Sequence, residues 1–254
     1  MSSTTDLISQ TPLLDFGHPA IAGLVRARGW HALDEKARIG AAYDFVRNDI
    51  RFGYNRADDI PASAVLADGF GQCNTKATLL MALLRALGIA CRLHGFAIHK
   101  GLQRGVVPEL VYPIAPREIL HSWVEVRHDD RWINLEGFIL DQDFLTVLQR
   151  EFPGVGSLCG YGAGTDCLSA PGVEWDGAST YIQKTGIVRD YGVFAAPDDF
   201  YRDHRQDFGV VRAVLYRHVI RHWMNARVTA IREGRMKPSA AINHAHEAAG
   251  ALKT

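Results

Sequence analysis

The protein has 254 residues, of which 47% are hydrophobic and 22% charged, proportions that are ordinary for a globular protein. Its 28 Lys and Arg residues balance 28 Asp and Glu residues, so no global field favours nucleic acid or an anionic membrane as a partner. Its four cysteines are too few for a disulfide scaffold. The sequence shows neither a signal-peptide pattern nor a run of about 18 apolar residues, so we expect a cytoplasmic protein without a membrane span.

The N-terminal part of the chain predicts an irregular segment followed by a helix. Residues 1–34 read as a lead-in that contains a short helix at 19–28. Residues 33–50 predict an amphipathic helix, because apolar residues recur at helical spacing. The predicted apolar positions of this helix are Leu33, Ala37, Ala41 and Phe45.

The middle of the chain alternates between helix and strand signals. A helix is predicted from about Thr75 to Leu87, and Gly88 stands where a C-terminal cap glycine belongs. A strand over 90–99 follows, and then a long loop rich in Gly and Pro. Two further strands are predicted around LHSWVEVR and RWINLEG, with HDD between them.

The character of the sequence changes after Asp141. A helix near 142–151 leads into a Gly-rich loop over 152–172, and two more helices are predicted at about 208–233 and 239–252. We therefore expect a catalytic core at 35–140 and an extension at 141–254 that packs against it.

The segment GFGQCNTKATLLMALLRALGIACR places Cys73 directly before a stretch that is apolar on almost every side. Such a helix is buried in the middle of its domain, and backbone N–H groups at its start stabilise a thiolate. Gly69 and Gly71 allow a sharp turn and the close approach of a substrate carbonyl, for which the Cys73 N–H is a natural oxyanion donor. On spacing alone, however, Cys73 fits a packing residue equally well, which is the role we expect for Cys91.

The segment HSWVEVRHDDRWINLEG offers a base and a group to orient it. A hairpin loop with an even number of residues pairs Arg127 with Trp132, and then His121 and Glu136 lie diagonally on one face. A three-residue loop would shift the register and move Glu136 to the opposite face. Because a thiol nucleophile needs an imidazole with an orienting acceptor, these residues together with Cys73 predict a catalytic triad.

Three separated motifs, GQCNTKATLLMALLRALGIACR, HSWVEV and RWINLE, occur in this order. With them, residues 35–140 resemble the transglutaminase-like superfamily, which has G-x-C before an Ala/Leu-rich helix, H-x-W-V-E-V, and a strand that ends in Asp. The resemblance implies an α+β fold, with a papain-like core in which a central buried helix packs on an antiparallel sheet. A largely helical C-terminal extension would follow this core. The implied chemistry is a Cys-His-Asp triad that attacks an amide or related acyl group through a thioester.

Carried onto this sequence, the resemblance makes Cys73 the nucleophile and His121 the general base and acid. Glu136 takes the place of the family's Asp and is one methylene longer, and Asn134 on the same face is the alternative acceptor. The sequence also departs from true transglutaminases after the cysteine, where Asn74 replaces their Trp. This departure argues against protein cross-linking.

Three further residues are candidates for substrate binding or the oxyanion site: Gln72, Lys76 and Trp123. Gln72 matches the GQC of transglutaminases. Lys76 either binds a substrate carboxylate at the mouth of a cleft or lies on the helix surface. Trp123 either lines the cleft beside His121 or simply packs.

The remaining candidate ligands predict neither a metal site nor a cofactor. Cys159 and Cys167 have no second ligand pair, and the Gly-rich loop that carries them could instead fold over the active site. His218 and His222 stand at i and i+4 but lack a third ligand.

The sequence thus predicts a cysteine hydrolase that cleaves an amide of a small or peptide-like substrate. The same triad would make an acyltransferase if an amine replaced water as the acceptor, and the sequence leaves this choice open. From a different class, the fold also includes non-catalytic binding modules, against which the retention of all three polar positions argues. We expect no nucleic-acid or membrane partner, and the oligomeric state is open.

Overall fold

The computed structural model describes residues 6–206 and 209–239 of the chain. Its α-helices are α1 Pro19–Ala27, α2 Glu35–Asp44, α3 Ala62–Asp68, α4 Cys73–Ala86, α5 Gln142–Glu151, α6 Pro197–Asp203, α7 Gly209–Leu215 and α8 Arg221–Arg232. Its strands are β1 Arg51–Phe52, β2 Phe70–Gly71, β3 Cys91–His99, β4 Glu118–His128, β5 Arg131–Leu135, β6 Leu158–Gly160, β7 Ala163–Thr165 and β8 Ile187–Phe194. This mixed helix and sheet architecture confirms the predicted α+β class.

Helix α4 is the buried centre of the fold, as its sequence predicted. Every residue from Cys73 to Arg85 is buried, because the helix carries apolar side chains around its whole circumference. It ends where Gly88 adopts a left-handed φ of 76°, a conformation that costs a glycine nothing. The side of α4 that faces the sheet packs against β4 and β3.

The main sheet has four antiparallel strands in the order β5-β4-β3-β8. The hairpin between β4 and β5 turns through Asp129 and Asp130, both with positive φ, and this two-residue loop pairs Arg127 with Trp132. The predicted even-numbered loop and its register are therefore confirmed.

The buried face of α2 differs from the predicted one. Of the four predicted apolar positions, Phe45 is buried, whereas Leu33 is 38% exposed and lies before the helix, and Ala37 and Ala41 are only partly buried. A second set at i, i+3, i+4 and i+7 faces the core instead: Ile39, Ala42, Tyr43 and Val46. This set wins because its larger side chains remove more apolar surface from water.

The sequence did not predict β1, β2 or α6, nor three further features. Helix α3 occupies a region for which no element was predicted, and the Gly-rich segment contains the β6–β7 hairpin, which turns through Tyr161 and Gly162 at positive φ. Strand β8 joins the main sheet beside β3 from within the predicted helical extension. None of the three shows a long periodic pattern, so tertiary pairing decides their structure.

The C-terminal helical region agrees with the prediction for 208–233. Helices α7 and α8 are joined by a π-helical segment, Tyr216–Ile220, and Gly234 ends α8 at a φ of 72°. The helix predicted at 239–252 lies outside the described residues, apart from Ser239. None of the described helices combines the length and the apolar character that a membrane span requires.

Candidate active site

A cavity of about 330 Å³ opens at the N-terminus of α4. Gln72, Cys73 and Asn74 form one part of its wall. Other parts of the wall come from the loop after β1, the loop after β3, the start of β4, α6 and the α7–α8 region. The start of the buried helix α4 therefore faces a cavity large enough for a small ligand.

Cys73 is the first residue of α4 and is 8% exposed. The backbone before it turns sharply, and a side chain at Gly71 would lie 2.7 Å from Thr75 Oγ1 and 2.9 Å from Lys76 Cγ. The Thr75 hydroxyl instead accepts the backbone N–H of Gln72 at 3.1 Å. Thr75 thus fixes the turn that presents the thiol, while the first N–H groups of the helix have no partner within the helix.

His121 and Glu136 form a fully buried pair, each with 0% exposure. The Nε2 atom of His121 lies 2.7 Å from Oε1 of Glu136. The second carboxylate oxygen, Oε2, accepts the backbone N–H groups of Ile182 and Gln183 at 2.8 and 3.0 Å. Both oxygens of the carboxylate are therefore held by hydrogen bonds. The extra methylene of Glu lets Oε2 reach the segment just before β8.

The remaining ring nitrogen, Nδ1, is left for Cys73. It makes no hydrogen bond of ordinary geometry to any residue in the described part of the chain. Burial lowers the pKa of His121, but the nearby Cys73 and the carboxylate of Glu136 outweigh burial and raise the pKa above its usual value. An imidazole in this setting retains its proton at neutral pH when a thiolate and a carboxylate lie on either side.

Asn74 ties the start of α4 to the strand that carries His121. It is 1% exposed, its Nδ2 donates to the carbonyl of Leu120 at 3.0 Å, and its Oδ1 accepts the hydroxyl of Ser122 at 2.9 Å. The two partners flank His121 in sequence, so one side chain aligns the thiol-bearing helix with the imidazole-bearing strand. This role was missed from the sequence, where Asn74 was noted only as a departure from Trp.

The predicted alternative acceptor, Asn134, does not contact His121. Its Nδ2 donates to the hydroxyl of Tyr181 at 2.7 Å, and its backbone pairs with Glu125. Glu136 is the residue in contact with His121.

Gln72 lines the cavity, but its side chain is already held. Its Oε1 accepts the backbone N–H of Asn55 at 3.0 Å, and its Nε2 donates to Asp58 Oδ1 at 2.8 Å. The Gln72 amide has a second N–H, which neither of these two hydrogen bonds uses.

Both predicted placements of Lys76 are wrong. The residue lies neither at the mouth of the cleft nor on the helix surface. The residue is fully buried, and its Nζ donates to the carbonyls of Arg47 and Ile139 at 3.2 and 3.0 Å. Burial lowers its pKa to about 7. It therefore cannot meet a substrate carboxylate, and it braces the core behind Cys73.

Trp123 packs and does not line the cavity. Its ring lies 4.1 Å from that of Phe96 and 6.5 Å from that of His121, between centroids. The residue therefore supports the imidazole from behind. Within the described residues, no group of three or more His, Cys, Asp or Glu side chains could hold a metal ion.

Residues 26–137 match the family model of the transglutaminase-like superfamily. This segment contains Cys73, His121 and Glu136 and ends one residue after the last of them. This segment of the chain is therefore similar to the transglutaminase-like superfamily.

One solved structure similar to the chain is that of "a Putative Cysteine Protease from Cytophaga hutchinsonii", with 12% sequence identity and a TM-score of 0.40. The match covers 76% of this chain and 47% of that one, so this chain spans about half of its length. No curated protein matches the sequence significantly. The segment that matches the family model contains α2 to β5, whereas β8 and the α7–α8 region lie outside it.

Proposed function

We propose that the protein is a cysteine hydrolase that cleaves an amide bond of a small or peptide-like substrate through a thioester on Cys73. The observation that carries this proposal is the arrangement around His121. One ring nitrogen is fixed by a clamped carboxylate, and the other is left for a thiol at a helix N-terminus. This is the pattern that nucleophilic catalysis by cysteine requires.

In the first half of the reaction, the Cys73 sulfur attacks the amide carbonyl while its proton resides on His121. The carbonyl oxygen gains negative charge, which the N–H groups at the start of α4 are placed to stabilise. The carbon–nitrogen bond then breaks, His121 gives its proton to the leaving amine, and the acyl group remains on sulfur as a thioester.

In the second half, water attacks the thioester. His121 accepts a proton from the water, the carbon–sulfur bond breaks, and the carboxylic acid leaves as the Cys73 thiolate re-forms. Glu136 takes no proton in either half, because it orients the ring and stabilises the imidazolium.

The thiol can be tested before any substrate is known. We expect Cys73 to react with iodoacetamide well below pH 8, the pH around which an ordinary thiol begins to react. Cys167 is exposed, whereas Cys73 is buried, so Cys167 serves as the internal control for access of the reagent. Hydrogen bonds from Ser169 and the backbone of Ala170 lower the pKa of the Cys167 thiol, so the pH comparison is made with an ordinary free thiol such as glutathione. Labelling is followed by peptide mass spectrometry. A Cys73 that reacts only in the alkaline range, like an ordinary thiol, would contradict the proposal.

The activity itself is tested by incubating the protein with a metabolite extract and weighing the Cys73 peptide. We expect an acyl adduct that hydroxylamine removes and that the Cys73→Ala variant lacks, while the matched Cys167→Ala variant keeps it. Addition of a primary amine distinguishes the acceptors. A hydrolase releases mainly the free acid, and an acyltransferase mainly the amide. A non-catalytic binding module would form no adduct.

A further inference from the structure

Two carboxylates line the cavity beside Cys73, Asp58 and the more exposed Asp59, and no basic side chain of the described residues forms an ion pair with either. The three fully buried carboxylates elsewhere each have a basic partner: Glu125 with Arg92 and His94, Glu136 with His121, and Asp141 with Arg232. Asp58 lines the cavity and is half-buried, and among the described residues no Lys, Arg or His lies within ion-pair distance of it.

Asp58 is held in place by the residue next to the nucleophile. Its Oδ1 accepts Nε2 of Gln72 at 2.8 Å, and Gln72 is in turn fixed by the backbone of Asn55. Burial raises the pKa of Asp58, and its hydrogen bonds oppose this only in part. Such a carboxylate has lost water without gaining a cation, so a positive charge placed beside it is stabilised.

A second polar atom of the cavity also lacks a partner. Tyr201 is 4% exposed and lines the cavity, and its hydroxyl makes no hydrogen bond of ordinary geometry within the described residues. Burial raises the pKa of Tyr201, and the charges of Asp58 and Cys73 raise it further. Tyr201, Asp58 and Cys73 thus line the same cavity.

The rest of the inner wall is mostly apolar, with side chains such as Phe52, Leu102, Val107, Leu120 and Met224. Four arginines also line the cavity, but all are exposed and therefore screened by water and salt: Arg56, Arg205, Arg212 and Arg217. The volume of about 330 Å³ is at the low end of the range of about 300–1,000 Å³ that holds small ligands.

From this arrangement we infer that Asp58 and the Tyr201 hydroxyl bind a cationic nitrogen of the substrate beside Cys73. The cleft then takes compact amides whose apolar body carries an ammonium group close to the scissile carbonyl. That the substrate is an amide rests on the proposed function, whereas the cation subsite is argued from the residues of the cavity alone.

The charge selectivity of Cys73 tests this subsite without a substrate. Methanethiosulfonates that carry a trimethylammonium or a sulfonate group differ in charge and react with the same thiol. We expect the ratio of their rates at Cys73 to favour the cation, and to fall about tenfold in Asp58→Asn. Because both reagents attack the same sulfur, any change in its intrinsic reactivity cancels in the ratio. Asp166→Asn, which removes an exposed carboxylate outside the cavity wall, is the matched control and leaves the ratio unchanged.

The wild-type protein gives a second measurement that does not depend on the folding of a charge variant. We expect hexylammonium to protect Cys73 from iodoacetamide at concentrations where hexanol and hexanoate do not. Tyr201→Phe, which removes one oxygen, weakens this protection about fivefold. The inference is overturned if the reagent ratio is the same in the wild type and Asp58→Asn, or if hexanoate protects as well as hexylammonium. A Cys73 with ordinary thiol reactivity would instead overturn the proposed function and still leave the reagent ratio readable.

Discussion

The carboxylate of Glu136 contacts two separate parts of the chain. The family has Asp at this position, and the additional methylene places Oε1 on His121 while Oε2 reaches the backbone of Ile182 and Gln183. A shorter carboxylate could not span both sets of partners from the same backbone. The residue is therefore matched to the segment before β8, which lies outside the matched core.

Glu136→Gln should slow the acylation of Cys73 by its substrate by about a hundredfold or more, because it removes the charge that stabilises the imidazolium. The pKa of His121 is raised in the folded protein, so its proton persists above the usual range and is lost as pH rises. The variant should therefore move the alkaline limb of the pH–rate profile to lower pH. Glu125→Gln, which changes the other buried Glu–His pair, is the control. An alkaline limb that stays in place would contradict the assignment.

Lys76 predicts a pH dependence of stability. Its pKa falls from 10.5 to about 7 on folding, so between these values the unfolded chain binds a proton that the folded chain does not. The free energy of unfolding should then rise with pH in this window, by at most about 1.4 kcal/mol per unit. Urea denaturation at pH 7.5 and 9.5 should show this rise for the wild type relative to Lys76→Met. In the control Lys36→Met, which changes an exposed lysine, the free energy of unfolding should rise with pH as much as in the wild type.

At the scale of elements, the junction of α4 with β4 decides whether the thiol meets the imidazole. The two side chains come from elements that lie far apart in sequence, and the hydrogen bonds of Asn74 to Leu120 and Ser122 join them on both sides of His121. Sequence periodicity predicted each element correctly but contains no information on how they are aligned.

Asn74→Ala should reduce the rate of Cys73 alkylation about tenfold, and it should lower the free energy of unfolding by about 1–3 kcal/mol because buried polar partners are left unsatisfied. Ser122→Ala removes only one of the two hydrogen bonds and should cost less in both measurements. Iodoacetamide kinetics and urea denaturation provide the two readouts. Full reactivity in a folded Asn74→Ala protein would show that the hydrogen bonds of Asn74 do not position the thiol.

At the scale of the molecule, the α7–α8 region completes the cavity that the core begins. The Asn225 amide bonds to both the backbone N–H and the carbonyl of Tyr54, at 2.7 and 3.0 Å. Arg232 donates to Asp141 and to the carbonyl of Phe52, and its ion pair with Asp141 is almost fully buried. These contacts hold the helices over the loop that supplies Asp58. The division of the chain at residue 140 stays a prediction, and these contacts cross that boundary.

Arg232→Met should lower the free energy of unfolding by about 3–5 kcal/mol, because it leaves the Asp141 carboxylate buried without its partner. The matched control is Arg235→Met, whose ion pair with Glu233 lies at the exposed end of the same helix and should cost less than about 1 kcal/mol. Chemical denaturation of the two variants gives the comparison. Equal losses would mean that the buried pair does not anchor α8.

The sequence by itself determined the elements whose physics is local. The circumference of apolar residues specified α4 as a buried helix, and Gly88 specified its end. The sequence set an even-numbered hairpin loop as the condition for bringing His121 to Glu136, and the structure meets it with a two-residue loop. Only the tertiary structure decided the placement of Lys76, the joining of β8 to the sheet, the hydrogen bonds of Asn74 to β4 and the exposure of Asp58 to the cavity. Each of these depends on contacts between segments far apart in the chain, whose burial and partners no local pattern encodes.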